Sequence, residues 1–126
     1  MFTGKRVMIV EDSKTIIHQV KLIVEQNGVN LVEAGSEWGM FKKIEEYGKF
    51  VDLIIMDLIL KFENGLDLIE KLKTDDKYKD IPILILTEQA DAENVLRAKE
   101  LGIKYYLRKP IEKDKLLERM TMIFNK

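Results

Sequence analysis

Apolar residues fall into short runs along this chain, each ending in polar side chains. Continuous apolar stretches occupy positions 7–10, 53–56 and 83–86, with a weaker one at 105–107. The first three do not alternate, as expected of strands buried on both faces of a parallel sheet. A fifth stretch, 29–34, mixes in polar residues and reads as an edge strand. Between the runs the spacing changes to that of helices. Ile16, Val20, Ile23 and Asn27 share one face beside Ile17 and Val24, with Ser13 as N-cap and Gly28 as the stop. Ser36 caps a second helix with Trp38, Phe41 and Ile44 predicted inward. Leu66, Ile69 and Leu72 mark a third after Asn64-Gly65. Asp91 caps a fourth with Val95 and Leu96 inward, ending at Leu101-Gly102. Leu116, Leu117, Met120, Ile123 and Phe124 define the last.

Five β-then-α units with short connections imply a single-domain α/β fold, a doubly wound (βα)5 sandwich around a five-stranded parallel sheet. No linker, repeat or low-complexity tract interrupts residues 1–126. The fold class tells where chemistry belongs, because ligands of open parallel sheets bind beyond the carboxyl ends of the strands. The first strand ends in Glu11-Asp12, the third in Asp57, the fourth in Thr87 and the fifth in Arg108-Lys109-Pro110. Taken singly, such residues are mostly caps. Gathered at one rim, three carboxylates at ~5 Å spacing repel by roughly 3 kcal/mol per pair at an effective dielectric of 20. One lysine does not offset that. A divalent cation does, and an all-oxygen set suits Mg²⁺, with Mn²⁺ an alternative, rather than zinc or copper. This inference requires the carboxylates to lie well within a Debye length, about 8 Å.

Composition removes competing classes. There is no cysteine, so disulfides and thiol chemistry are out, and His18 is the only histidine. His18 reads as a surface or partly packed residue, and Trp38, Phe41 and the six methionines read as core. With 21 Lys+Arg against 22 Asp+Glu the formal charge is -1, which argues against nucleic-acid binding by this chain. No secretory signal or membrane-length apolar run is visible, so a cytoplasmic location without membrane contact is expected.

The acidic pair Glu11 and Asp12, Asp57, Gly65 eight residues beyond it, Thr87, and Lys109 followed by Pro110 together resemble the response-regulator receiver domains of two-component signalling. The resemblance covers nearly the whole chain. It implies the strand order 2-1-3-4-5 and a phosphorylation-dependent switch. Asp57 would accept a phosphoryl group from a histidine kinase or phosphotransfer protein. Glu11, Asp12, Asp57 and the Ile59 backbone carbonyl would hold Mg²⁺, and Lys109 would stabilise the transferring group. Thr87 and Tyr106, three residues before the lysine, would be the switch pair. The signal would pass through the helix 4–strand 5–helix 5 face to a downstream target or tethered output domain, the chain acting as a monomer or a weak dimer through that face. The family pattern also implies a cis peptide before Pro110. Such a chain catalyses its own phosphorylation and slow autodephosphorylation without being a conventional enzyme.

Three positions depart from the commonest pattern. Lys61 stands where proline is frequent, implying a looser loop. Glu11 is a charge-preserving variant. Glu88 stands where a small residue is usual; it either narrows the entry path against anionic donors or simply faces solvent. Ile59 and Gln89 flank the path of an attacking water and neither is an evident base. Two other readings compete. An aspartate-nucleophile phosphatase of the haloacid-dehalogenase kind needs a second aspartate where Ile59 stands, and a nucleotide-binding enzyme needs a glycine-rich loop where Glu11-Asp12-Ser13-Lys14 stands. A receiver-like binding scaffold working without phosphorylation is the third reading.

Overall fold

The computed structural model describes residues 1–88 and 92–125. Its strands are β1 (Arg6–Val10), β2 (Asn30–Ala34), β3 (Leu53–Asp57), β4 (Ile83–Thr87) and β5 (Tyr105–Arg108). The helices are α1 (Lys14–Glu25), α2 (Glu37–Tyr47), α3 (Gly65–Lys73), α4 (Ala92–Glu100) and α5 (Lys113–Phe124). All strand pairs are parallel, in the order β2-β1-β3-β4-β5. The order reverses at β1, which lies between β2 and β3, and this opens a crevice beyond the carboxyl ends of β1 and β3.

Residue parity along the strands divides the interior into two cores. Val7, Ile9, Leu53, Ile55, Leu84 and Leu86 pack with α1 and α5 through Val20, Val24, Leu116 and Met120. Met8, Val10, Ile54, Met56, Ile83 and Ile85 pack with α2 and α3 through Met40, Ile44, Leu66, Ile69 and Leu72. Covering both faces explains the absence of alternation in the central strands. On the edge strand β2, only Val32 and Ala34 are buried.

Local chemistry sets the helix starts. Ser13 Oγ accepts from Ile16 N, Ser36 Oγ from Gly39 N at 3.1 Å, and Asn64 Oδ1 from Leu66 N at 2.8 Å. The N-cap expected at Asp91 lies outside the described residues, as does Gln89. Gly28, with φ of 88°, closes the turn after α1, where a Cβ would lie 2.8 Å from Thr3 Cα.

Three expectations about packing are corrected. Trp38 does not face the core: it is 73% exposed, and α2 instead buries Met40 and Ile44 at i, i+4 spacing. On α4, Val95 and Leu96 are exposed and Ala98 is the buried residue. That helix is tied to α3 by charge, with Arg97 Nη2 2.6 Å from Asp67 Oδ1 and 2.9 Å from Glu70 Oε2. Met1 and Met122 are exposed, so only Met8, Met40, Met56 and Met120 serve the core.

Candidate functional site

The turns after β1 and β3 deliver Glu11, Asp12 and Asp57 to the crevice. One carboxylate oxygen from each lies within 4.8 Å of the other two. Glu11 and Asp57 are buried, at 0% and 4% exposure, whereas Asp12 is exposed. Two oxygens are fixed by local backbone donors: Ser13 N donates to Glu11 Oε1 at 3.0 Å and Ile59 N to Asp57 Oδ1 at 3.1 Å. A third bond is long-range, from Lys61 N to Asp12 Oδ2 at 2.6 Å. Proline has no N–H to give. Lys61 therefore ties its loop to the acidic pair, contrary to the looser loop expected from its departure from the common pattern.

Lys109 supplies the one ammonium among the described residues that forms salt bridges in this cluster. Its Nζ lies 3.1 Å from Glu11 Oε2 and 3.3 Å from Asp57 Oδ2. Backbone pairing between strands positions it, because Lys109 N donates to the Thr87 carbonyl at 2.8 Å. The Lys109-Pro110 peptide is cis. Burial works against the charge on Lys109, yet its pairing with Glu11 and Asp57 outweighs this and raises its pKa. The Glu11 carboxyl is also pushed up. Burial is the main cause and the Asp57 charge adds to it, against the Ser13 N–H and Lys109.

The Lys109 ammonium is the ionic partner of Glu11 Oε2, yet that oxygen is buried without a hydrogen-bond partner. A buried carboxylate oxygen left unbonded costs free energy. Three hard oxygen donors facing a single ammonium, one of them unsatisfied, fit a hard divalent cation such as Mg²⁺.

Gly65 shapes the crevice from below. Its N–H donates to the Leu58 carbonyl at 2.8 Å, so α3 begins directly against the backbone leaving β3. A Cβ at Gly65 would collide with the Asp57 carbonyl oxygen and lie 2.9 Å from Leu58 Cα. In the sequence this glycine is marked only by the family resemblance, eight residues after Asp57; the close approach explains it. The backbone donors at Ser13, Ile59 and Lys61 carry no sequence signal, since any residue except proline has an N–H.

The other predicted residues are arranged around this cluster. Thr87 is buried at the end of β4, and Glu88 immediately after it is exposed. Ile59 is 73% exposed and pairs with Asn64 in an isolated bridge. Tyr106 is half-buried on β5, packs against the α2–α3 core, and donates from its hydroxyl to the Ile103 carbonyl at 3.4 Å. His18 is exposed on α1. Among the described residues no helix is long and apolar enough to cross a membrane.

Comparison with known proteins agrees with this geometry. The family model of the response regulator receiver domain matches residues 7–121. The phosphate regulon transcriptional regulatory protein PhoB of Escherichia coli (strain K12) is 30% identical over 123 residues, which is 98% of this chain and 53% of that protein. The chain thus spans about half the length of the PhoB relatives it matches. Chemotaxis protein CheY-3 of Vibrio cholerae is 26% identical over 121 residues, covering 96% of this chain and 92% of that protein. A crystal structure of a putative response regulator from Chloroflexus aurantiacus J-10-fl superposes with a TM-score of 0.88 at 27% identity, covering 98% of this chain and all of that one. The chain belongs to the response regulator receiver domain family.

Proposed function

We propose that this chain is a phosphorylation-dependent signalling switch, a receiver (phosphoacceptor) domain over residues 1–126, with Asp57 as the phosphoacceptor. The observation that carries the reading is the meeting of Glu11, Asp12 and Asp57 within 4.8 Å, with Lys109 Nζ 3.3 Å from Asp57 Oδ2.

In the proposed step an Asp57 carboxylate oxygen attacks the phosphorus of a phosphohistidine on a histidine kinase or phosphotransfer protein. An O–P bond forms and the N–P bond breaks, and the departing imidazole nitrogen keeps the electron pair and takes a proton from solvent. Asp57 needs no general base, because a carboxylate is ionised at neutral pH. The Ile59 N–H orients one Asp57 oxygen, leaving the other beside Lys109. Lys109, held charged by its acidic partners, offsets charge on the transferring group. A bound Mg²⁺ (or Mn²⁺), held by Glu11, Asp12, Asp57 and the Ile59 carbonyl, would supply further positive charge to the phosphoryl oxygens.

The product group bears roughly 1.5–2 negative charges where the free carboxylate bore one, in a pocket already acidic. Thr87 would answer by donating its hydroxyl to a phosphoryl oxygen, with Tyr106 turning inward. The α4–β5–α5 face would change shape, for a separate target or a tethered output domain, in a cytoplasmic setting. Beryllofluoride titration in Mg²⁺ tests this by amide chemical shifts. The expected result is saturable change at Asp57, Thr87 and Tyr106, absent in Asp57→Asn. A flat spectrum would instead support a binding scaffold that works without phosphorylation.

A further inference from the structure

The side of the molecule formed by α2 and the loop between β3 and α3 carries two features that the phosphoryl site does not use. Trp38 and Phe62 are 73% and 84% exposed, the largest exposures among the aromatic residues described as exposed. Two adjoining cavities of about 690 and 640 Å³ open beside them and share Glu37 and Glu63. One is floored by Trp38, Phe41 and Lys42, the other is bordered by Phe62. The walls are held together: Glu37 N donates to Glu63 Oε1 at 3.3 Å, and Lys71 pairs with Glu37 across from α3.

The surroundings of the rings are acidic. Five carboxylates line the two cavities against Lys42 and Lys71. Lys71 and Arg97 account for Glu37, Asp67 and Glu70. Among the described residues no salt bridge reaches Glu45 or Glu63, which flank the exposed rings. Each ring also already bears a cation from its own chain. Lys42 Nζ lies 4.8 Å from the Trp38 centroid and Lys61 Nζ 5.4 Å from that of Phe62.

We infer that this groove docks a basic amphipathic polypeptide segment. Its apolar side chains would cover Trp38 and Phe62, and its lysines or arginines would meet Glu45 and Glu63. A polypeptide fits better than a small cation because two joined cavities, not one, carry the aromatic faces. Tryptophan is among the residues most often found to anchor an interface. The inference does not depend on phosphorylation of Asp57.

Trp38 is the only tryptophan in the chain, so its fluorescence reports on the groove directly. The probe is an amphipathic lysine–leucine peptide of about 14 residues, long enough to form a helix when docked. A glutamate–leucine peptide of the same length is the control. The lysine–leucine peptide is expected to shift Trp38 emission to the blue and protect it from acrylamide, and the control to do neither. Phe62→Ala and the double variant Glu45→Gln/Glu63→Gln should each weaken the response about tenfold in affinity, while Asp57→Asn leaves it intact. An equal response to both peptides, or one undiminished in Phe62→Ala and in the double variant, would overturn the inference. So would a blue shift produced by raising protein concentration alone, which would assign the groove to a second copy of the chain.

Discussion

Replacing Gly65 by alanine separates the effect of close backbone approach from ordinary helix propensity. Alanine is the better helix former by about 1 kcal/mol, so propensity alone predicts stabilisation. The structure predicts the reverse. The added Cβ would collide with the Asp57 carbonyl oxygen and lie 2.9 Å from Leu58 Cα, and both neighbours are backbone. Neither can swing aside as a flexible side chain would, so α3 must shift against β3. Overpacking of this kind costs about 1–3 kcal/mol, and the rigid neighbours place Gly65→Ala toward the upper end. After the propensity gain, a net loss of about 2 kcal/mol remains, or about 8 °C in Tm for a chain of 126 residues. Gly39→Ala is the control. It lies within α2, its Cβ would meet Ser36 Oγ at 3.4 Å and Ala34 at ordinary contact from 3.8 Å, and it should stabilise by about 0.5 kcal/mol. Urea unfolding of the three proteins gives both signs in one series. If Gly65→Ala proves as stable as the parent, or gains as Gly39→Ala does, the account of the crevice wall is wrong.

Two further predictions concern charge. Because folding raises the Glu11 carboxyl above its ordinary 4.5, its contribution to stability is present below that value and lost as pH rises through the folded pKa. Glu11→Gln has no such loss, so in metal-free buffer its stability relative to the parent should climb from about pH 4.5 upward; parallel stability–pH curves would contradict this. Lys109 stays charged across that window, its pKa being raised. At the entry, Glu88 is exposed. Its repulsion of a dianionic donor passing ~8 Å away in water is roughly 1 kcal/mol, so Glu88→Ala should speed labelling by acetyl phosphate about fivefold, and equal rates would show that Glu88 only faces solvent.

Central strands and the rim residues were readable because burial on both faces leaves an unbroken apolar run that stops where the crevice begins. Ser13 and Ser36 were equally visible, since a cap is a local bond. Helix faces were harder. A tryptophan at i, i+3 spacing from Phe41 suggested an inward face for α2, but the sheet edge takes the slimmer Met40 and Ile44. On α4 the small Ala98 faces inward and Arg97 bridges to α3, an arrangement that hydrophobicity alone misreads. What the sequence could not reveal are the contacts that fold geometry creates. These are the unbonded Glu11 Oε2, the Lys61 N–H on Asp12, and the meeting of Gly65 with the Asp57 backbone.

The central claim is that folding crowds three carboxylates around one lysine and leaves a demand that a hard dication meets. Thermal unfolding across a Mg²⁺ titration, at ionic strength matched with NaCl, measures that demand. The account predicts stabilisation that rises with the logarithm of Mg²⁺ concentration, about 2.7 kcal/mol at a hundredfold excess over Kd, largely lost in Glu11→Gln and in Asp57→Asn. Equal stabilisation by NaCl alone, or an undiminished Mg²⁺ effect in both variants, would contradict it.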